Sequence, residues 1–343
     1  TVCLLGTPNP HSGLSAIFDA IIISPEQLIG HSLLREVRMG LDLLAEKWCN
    51  LSPSSTVTLV TDGDRLELAT KIRRHISNPC SIIDLWNKRD VEQHLSSLSS
   101  SDLVVVLLSV HTFVDKGANG LFSPFAKPKG LKAKYAFVRL DIPEEALVEG
   151  LRTPKDLVYK KILEVSKFSP GSRVRVSSDA GTDVVLELGN TSTCRHEIVA
   201  DGEMAFLPPS EIFAEVIPGT ANGRIVVDVT CGQLYHFGVL MGQYGIVDKP
   251  VVLDVEDGYI IDVQGGRVGE DLREKLFGLP RDCRFVVELG HGLSTMSPTG
   301  IIGVDESILG TCHFGIGDAV TSGTHLDVVL KNPVLEKMET IHD

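Results

Sequence analysis

The segment THLDVV (324–329) places His325 and Asp327 two positions apart in an otherwise apolar run. Alternation along a strand puts i and i+2 on one face, so an imidazole and a carboxylate project together while Leu326 and Val328 take the other side. Imidazole with carboxylate is a donor set for Zn, Mn, Co or Fe as the divalent metal. The same spacing also suits a His–Asp hydrogen-bonded pair on a solvated strand. Two further segments add donors: FVVELGHG sets Glu288 among small residues, and GTCHFGIGD sets His313 among apolar residues and glycines. An ionised carboxylate is rarely placed in such surroundings unless it is paired or bound to a cation. Three adjacent strands could therefore converge Glu288, His313 and the His325–Asp327 pair on one point, with His291 as an additional donor. Asp305, Glu306 and Asp318 raise the local acidic density, whereas the other eight histidines stand apart from any cluster.

Other chemistries find no foothold. The loop after the strand STVTLVT is DGD, which puts carboxylates where a dinucleotide-binding fold places glycines near a pyrophosphate. GRIVVD and GGRVGED lack the lysine of a phosphate-binding loop, and no G-x-S-x-G elbow is present. Cys312 and His313 are neighbours on a strand and so face opposite ways, which removes them as a catalytic pair.

The formal charge of −13 repels a phosphate backbone, and no basic cluster offsets it, so nucleic acid is excluded as a partner. No apolar run approaches a membrane span. The seven cysteines are scattered singly, and TVCLLGTPNPHSG has no secretion-signal grammar, so the expectation is a cytoplasmic protein with free thiols.

Residues 1–168 alternate helix and strand patterns. A capped amphipathic helix opens at Ser24. Strands are expected at 55–61, in CSIIDLW, at 102–110 and at 134–140, with helices between them and a last helix capped by Thr153. The βαβα order predicts an α/β N-terminal domain with a parallel sheet. After SPGS (169–172) the chain turns to short strands separated by Gly, Asn and Asp, which predicts a β-rich α+β C-terminal domain over 169–343 that carries the metal site.

The order ELG, GTCHFGIGD, SGTHLDVVLKNP resembles the C-terminal signature of the aminopeptidase T metallopeptidases, and LPPSEIFAEVIPGTANGRIVVD is similar to their first glutamate segment. That resemblance implies Glu211, Glu288, His313, His325 and Asp327 as ligands of one or two ions, Glu211 also as a proton shuttle, a peptide or other small-molecule substrate, and a homodimer. Two positions depart from the peptidases: Val320 stands where they carry an active-site tyrosine, and the interval from His313 to His325 is shorter. The closing segment is also similar to the 2,5-dihydroxypyridine 5,6-dioxygenases, mononuclear non-haem iron enzymes whose His-x-Asp pair matches His325 and Asp327. In them a histidine stands at Glu288. Three functions follow as expectations: a metal-dependent hydrolase of a peptide or amide bond first, a ring-cleaving iron dioxygenase second, and a non-catalytic binding protein on the same fold third.

Overall fold

The computed structural model describes residues 40–86, 88–123, 126–168 and 170–338. Most of the helix expected from Ser24 lies outside them. Its last turns are present as helical backbone, with Leu41, Leu44 and Trp48 buried.

The first sheet is parallel. Strands β1 (Val57–Thr61), β2 (Cys80–Asp84), β3 (Leu103–Leu107) and β4 (Lys134–Val138) alternate with helices α1 (Leu66–His75) and α2 (Lys88–Ser97). In β3 every residue of LVVVL is buried. Leu59, Val105 and Ala136 pack on one face of the sheet, and Val60, Val104, Val106 and Phe137 on the other, so both faces are core.

Two helices follow, α3 (Glu144–Arg152) and α4 (Lys155–Val165). The expected cap of α4 is corrected. Pro154, fixed at φ −61°, is its N-cap, while Thr153 closes α3 and pairs through its hydroxyl with the Thr295 hydroxyl and N–H. The chain then forms β5 (Arg173–Ser177) and β6 (Asp183–Thr193), and returns to the parallel sheet with β7 (Met204–Leu207). The order is β2-β1-β3-β4-β7, and β7 pairs parallel with β4.

The second sheet is antiparallel and has 12 strands. Besides β5 and β6 it contains β8 (Glu211–Val216), β9 (Asn222–Val227), β10 (Thr230–His236), β11 (Val239–Ile246), β12 (Val251–Glu256), β13 (Tyr259–Gln264), β14 (Val286–Gly292), β15 (Thr311–Ile316), β16 (Thr324–Lys331) and β17 (Val334–Lys337). The path runs β11-β10-β16-β15-β14-β8-β6-β9-β12-β13, with β5 joining β6 and β17. The Asp257–Gly258 turn between β12 and β13 holds both residues at positive φ, the geometry that tight hairpins demand. Helices α5 (Gly266–Phe277) and α6 (Ile302–Asp305) complete the fold. No helix among the described residues is long and apolar enough to cross a membrane. The six cysteines among them are unpaired.

Candidate metal centre

The second sheet places β8, β14, β15 and β16 side by side. Their register decides which side chains meet. Glu288 pairs with Gly315, and Gly315 with Asp327; Gly290 pairs with His313, and Gly292 with Glu211. Paired residues share a face, and so do residues two apart. Glu211, Glu288, His313, His325 and Asp327 therefore all project from one face. His291 does not. It pairs with Ile212 and Cys312, is buried on the opposite face, and is withdrawn as a donor to this cluster because strand alternation turns it away.

His313 is the centre of the group. Its Nε2 lies 3.2 Å from Glu211 Oε2 and 3.2 Å from Glu288 Oε1. One donor atom from each of these three residues falls within 4.8 Å of the others. Beside them His325 Nε2 contacts Asp327 Oδ2 at 2.9 Å, and its Nδ1 reaches the Gly317 carbonyl at 3.3 Å. Gly315 forms the floor between the two groups: a Cβ there would lie 2.9 Å from Glu288 Cβ, 3.3 Å from Asp327 Oδ1 and 3.6 Å from His325 Cε1. At Gly290 a Cβ would lie 2.0 Å from His313 Cε1, so the missing side chain is the space the ring occupies.

The charge pattern follows from this packing. Burial works against a charge on His313, but the Glu288 hydrogen bond and the Glu211, Glu306 and Glu288 carboxylates push its pKa up to about 10. Asp327 pushes the half-exposed His325 up to about 10 against the cost of its partial desolvation. Burial works against the charge on Asp327 as well, yet the His325 imidazolium beside it holds the carboxyl below its ordinary range. Two protonated imidazoles thus stand among carboxylates, filling positions that suit a metal cation. The His313 ring is 1% exposed and its Nδ1 has no partner. Two imidazoles, several carboxylates and a glycine cradle fit a divalent metal bound by nitrogen and oxygen.

Arg139 is the residue that sequence reasoning missed. It follows β4 at the carboxyl end of the parallel sheet, where KYAFVRL gives only a cation after an apolar strand. Its Nη1 donates to Glu306 Oε1 at 2.8 Å and its Nη2 to Glu211 Oε1 at 3.3 Å and to the Ser210 hydroxyl. Ser210 Oγ and Cys194 Sγ also lie at 3.4 and 3.7 Å from Glu211 Oε1. The other acidic residues are structural. Asp305 accepts from Thr230, from Thr299 and from the Gly300 N–H; Asp318 accepts from the Val320 N–H and the Thr321 hydroxyl in the β15–β16 loop. Val320 is 91% exposed there.

Arg139 also lines a cleft of about 240 Å³ with Phe113, Phe137, Phe206, Tyr235 and Gln233. Its guanidinium lies 4.5 Å from the Phe206 ring centroid. Tyr235 pairs across the sheet with His325, which sets the cleft against the donor cluster.

The family described as 2,5-dihydroxypyridine 5,6-dioxygenase matches residues 87–297, more than half of the chain. The chain belongs to that family. The matched residues include Glu211 and Glu288 and stop before the strands of His313, His325 and Asp327. Among solved structures, the 2,5-dihydroxypyridine dioxygenase from Pseudomonas putida KT2440 is similar at TM-score 0.54 and 17% identity, over 90% of this chain and 94% of that one. Wild-type AmpT from Thermus thermophilus is similar at TM-score 0.49 and 15% identity, over 89% and 96% of the two chains. No curated protein matches by sequence. The dioxygenase likeness supports the α/β-plus-β-rich fold expected above, and the family membership agrees with the second of the two resemblances noted there.

Proposed function

We propose that this chain is a metal-dependent dioxygenase that opens a small hydroxylated aromatic ring, with 2,5-dihydroxypyridine the first substrate to test. The observation that carries this reading is the aromatic cleft beside the donor cluster. Phe113, Phe137 and Phe206 offer ring faces and edges for a flat substrate, and Gln233 and Tyr235 offer polar contacts at its rim. A volume of about 240 Å³ suits one ring better than an extended peptide.

His313, His325, Asp327 and Glu288 would hold the ion, a set of imidazoles and carboxylates that suits ferrous iron. When bound, ferrous iron supplies the one-electron chemistry that lets dioxygen react with an electron-rich ring. The chain's own residues do the rest. The phenylalanine walls exclude water and fix the ring plane. Glu211, anchored by Arg139 through Oε1, presents Oε2 towards His313 and is the group assigned to take the ring hydroxyl's proton.

A hydrolase is the second reading, supported by the carboxylate-rich group of Glu211, Glu288 and His313. There a bound ion would lower the pKa of water towards neutrality, and Glu211 would pass the proton to a leaving amine. The two are separated by loading the metal-free protein anaerobically with ferrous iron and following oxygen uptake with 2,5-dihydroxypyridine and catechols. Oxygen consumption with loss of ring absorbance is expected, and His325→Ala abolishes it. Absence of uptake, together with cleavage of aminoacyl amides by the Mn-, Co- or Zn-loaded protein, would reverse the order.

A further inference from the structure

We propose that dioxygen reaches the donor cluster through a second cavity, an apolar funnel on the far side of the Phe206 ring from the aromatic cleft. This rests on the dioxygenase reading above and adds a binding site for a small apolar gas, which is measured without substrate and without metal.

The funnel has a volume of about 260 Å³, and its walls include Ser192, Cys194, Met204, Phe206 and Phe213. It lies where β7, the edge strand of the parallel sheet, meets β6 and β8 of the antiparallel one. Strand parity explains the walls. Ser192 pairs with Phe213, and the Cys194 N–H donates to the Glu211 carbonyl, so Ser192, Cys194, Phe213 and Glu211 share the face that carries the donor cluster. Met204 and Phe206, two apart on β7, close the space from the other sheet. Ser192, Thr193 and Arg195 are exposed at the mouth, while Cys194 and Phe206, at 7% and 5% exposure, form the inner end.

That inner end borders the metal group. Cys194 Sγ lies 3.7 Å from Glu211 Oε1, and the other oxygen of the same carboxylate lies 3.2 Å from His313 Nε2. Phe213 pairs with Gly290 and Gly290 with His313, so the residue between the funnel wall and the imidazole has no side chain. Phe206 lines both the funnel and the cleft, and its ring is their common wall. The lining also decides the occupant. Arg195 at the mouth is committed to Glu203 at 2.9 Å, which balances its charge and leaves no pull on an anion. Cys194 donates to Glu211, and the side chains of Met204, Phe206 and Phe213 offer no strong hydrogen bond, whereas a buried water needs about two to four polar partners. Dry apolar space of this kind takes up small apolar gases. A ring-sized molecule in the funnel stops at Phe206 and Glu211, but a diatomic one passes as the side chains exchange rotamers.

The test uses the whole protein, isotope-labelled at its methionine methyl groups. Metal-free samples are placed under xenon pressure and followed by nuclear magnetic resonance, and the oxygen dependence of turnover is then measured after loading with ferrous iron. Xenon is expected to shift the Met204 methyl resonance in the wild type and not in Ser192→Trp, whose indole fills the funnel. Ser192→Trp is also expected to raise the KM for oxygen about fivefold or more, with the KM for the ring and kcat at saturating oxygen within about twofold of the wild type. Met204→Trp fills the same space from β7 and covers the case in which Ser192→Trp fails to fold. No xenon shift at Met204, an unchanged oxygen KM in a folded filled variant, or a ring KM that rises as much as the oxygen KM would each overturn the assignment. Failure of the dioxygenase reading appears instead as a xenon response in a protein that consumes no oxygen.

Discussion

At the scale of single residues, the centre depends on two side chains that are absent. Gly290→Ala places a methyl group 2.0 Å from His313 Cε1, in the space the ring occupies. We expect a stability loss of about 1–3 kcal/mol from overpacking and metal affinity weakened roughly 10- to 100-fold, measured by thermal unfolding and by Mn2+ titration. The pH response follows from the raised histidines. In the metal-free protein His313 and His325 titrate at about 10, above the ordinary histidine value of 6.5. Their ion pairs therefore contribute stability that is fully present below about 6.5 and is lost as pH rises through about 10. The metal-free protein should lose thermal stability between pH 7 and 10, while the loaded protein, whose imidazoles no longer hold those protons, should not. Loading at neutral pH should release protons, detected by calorimetry in buffers of differing ionisation enthalpy. A metal-free melting temperature independent of pH across that window would contradict the arrangement.

At the scale of elements, capping side chains fix the loops that hold the parallel strands in place. Asp102, just before β3, accepts from the Thr56 N–H and hydroxyl and from the Ser99 N–H and hydroxyl, all at 2.7–2.8 Å. Partial burial raises its pKa, but these hydrogen bonds outweigh that and lower it to about 2. Its contribution is present above about 4 and disappears as pH falls through about 2. Asp102→Ala should thus cost about 1–2 kcal/mol near neutrality, and the wild-type and variant unfolding midpoints should converge near pH 2. The strands around this loop were legible because their apolar runs are long and bounded by turn residues. Helices α3 and α5 are not legible in the sequence: α3 has only 9 residues, and the glycines of GRVGEDLREKLF hide a helical period. Strand β7, MAFL, is too short to carry an alternation of its own and is specified by its partner β4.

At the scale of the whole molecule, the candidate site was legible where its residues lie in sequence order on strands that are also neighbours in space. Glu288, His313, His325 and Asp327 sit on β14, β15 and β16, consecutive in both senses; spacing pairs His325 with Asp327, and the register between the strands brings Glu288 and His313 to the same face. Arg139 was not legible, because its partners lie on another sheet and nothing local marks a cation as buried. His291 shows why the density of donor types is not enough: strand parity turns it to the opposite face. The parallel sheet also draws β7 from beyond β5 and β6, and a fragment ending at residue 168 should therefore lack cooperative unfolding and aggregate, as judged by calorimetry and light scattering. That return has a consequence for how the chain is made. At about 5–20 residues per second, the ribosome leaves the outer edge of β4 open for on the order of seconds before MAFL emerges, and in that window the nascent sheet is a ready template for a neighbouring polypeptide. Chaperone dependence should therefore centre on the interval between β4 and β7, where ribosome profiling of chaperone-bound nascent chains would reveal it.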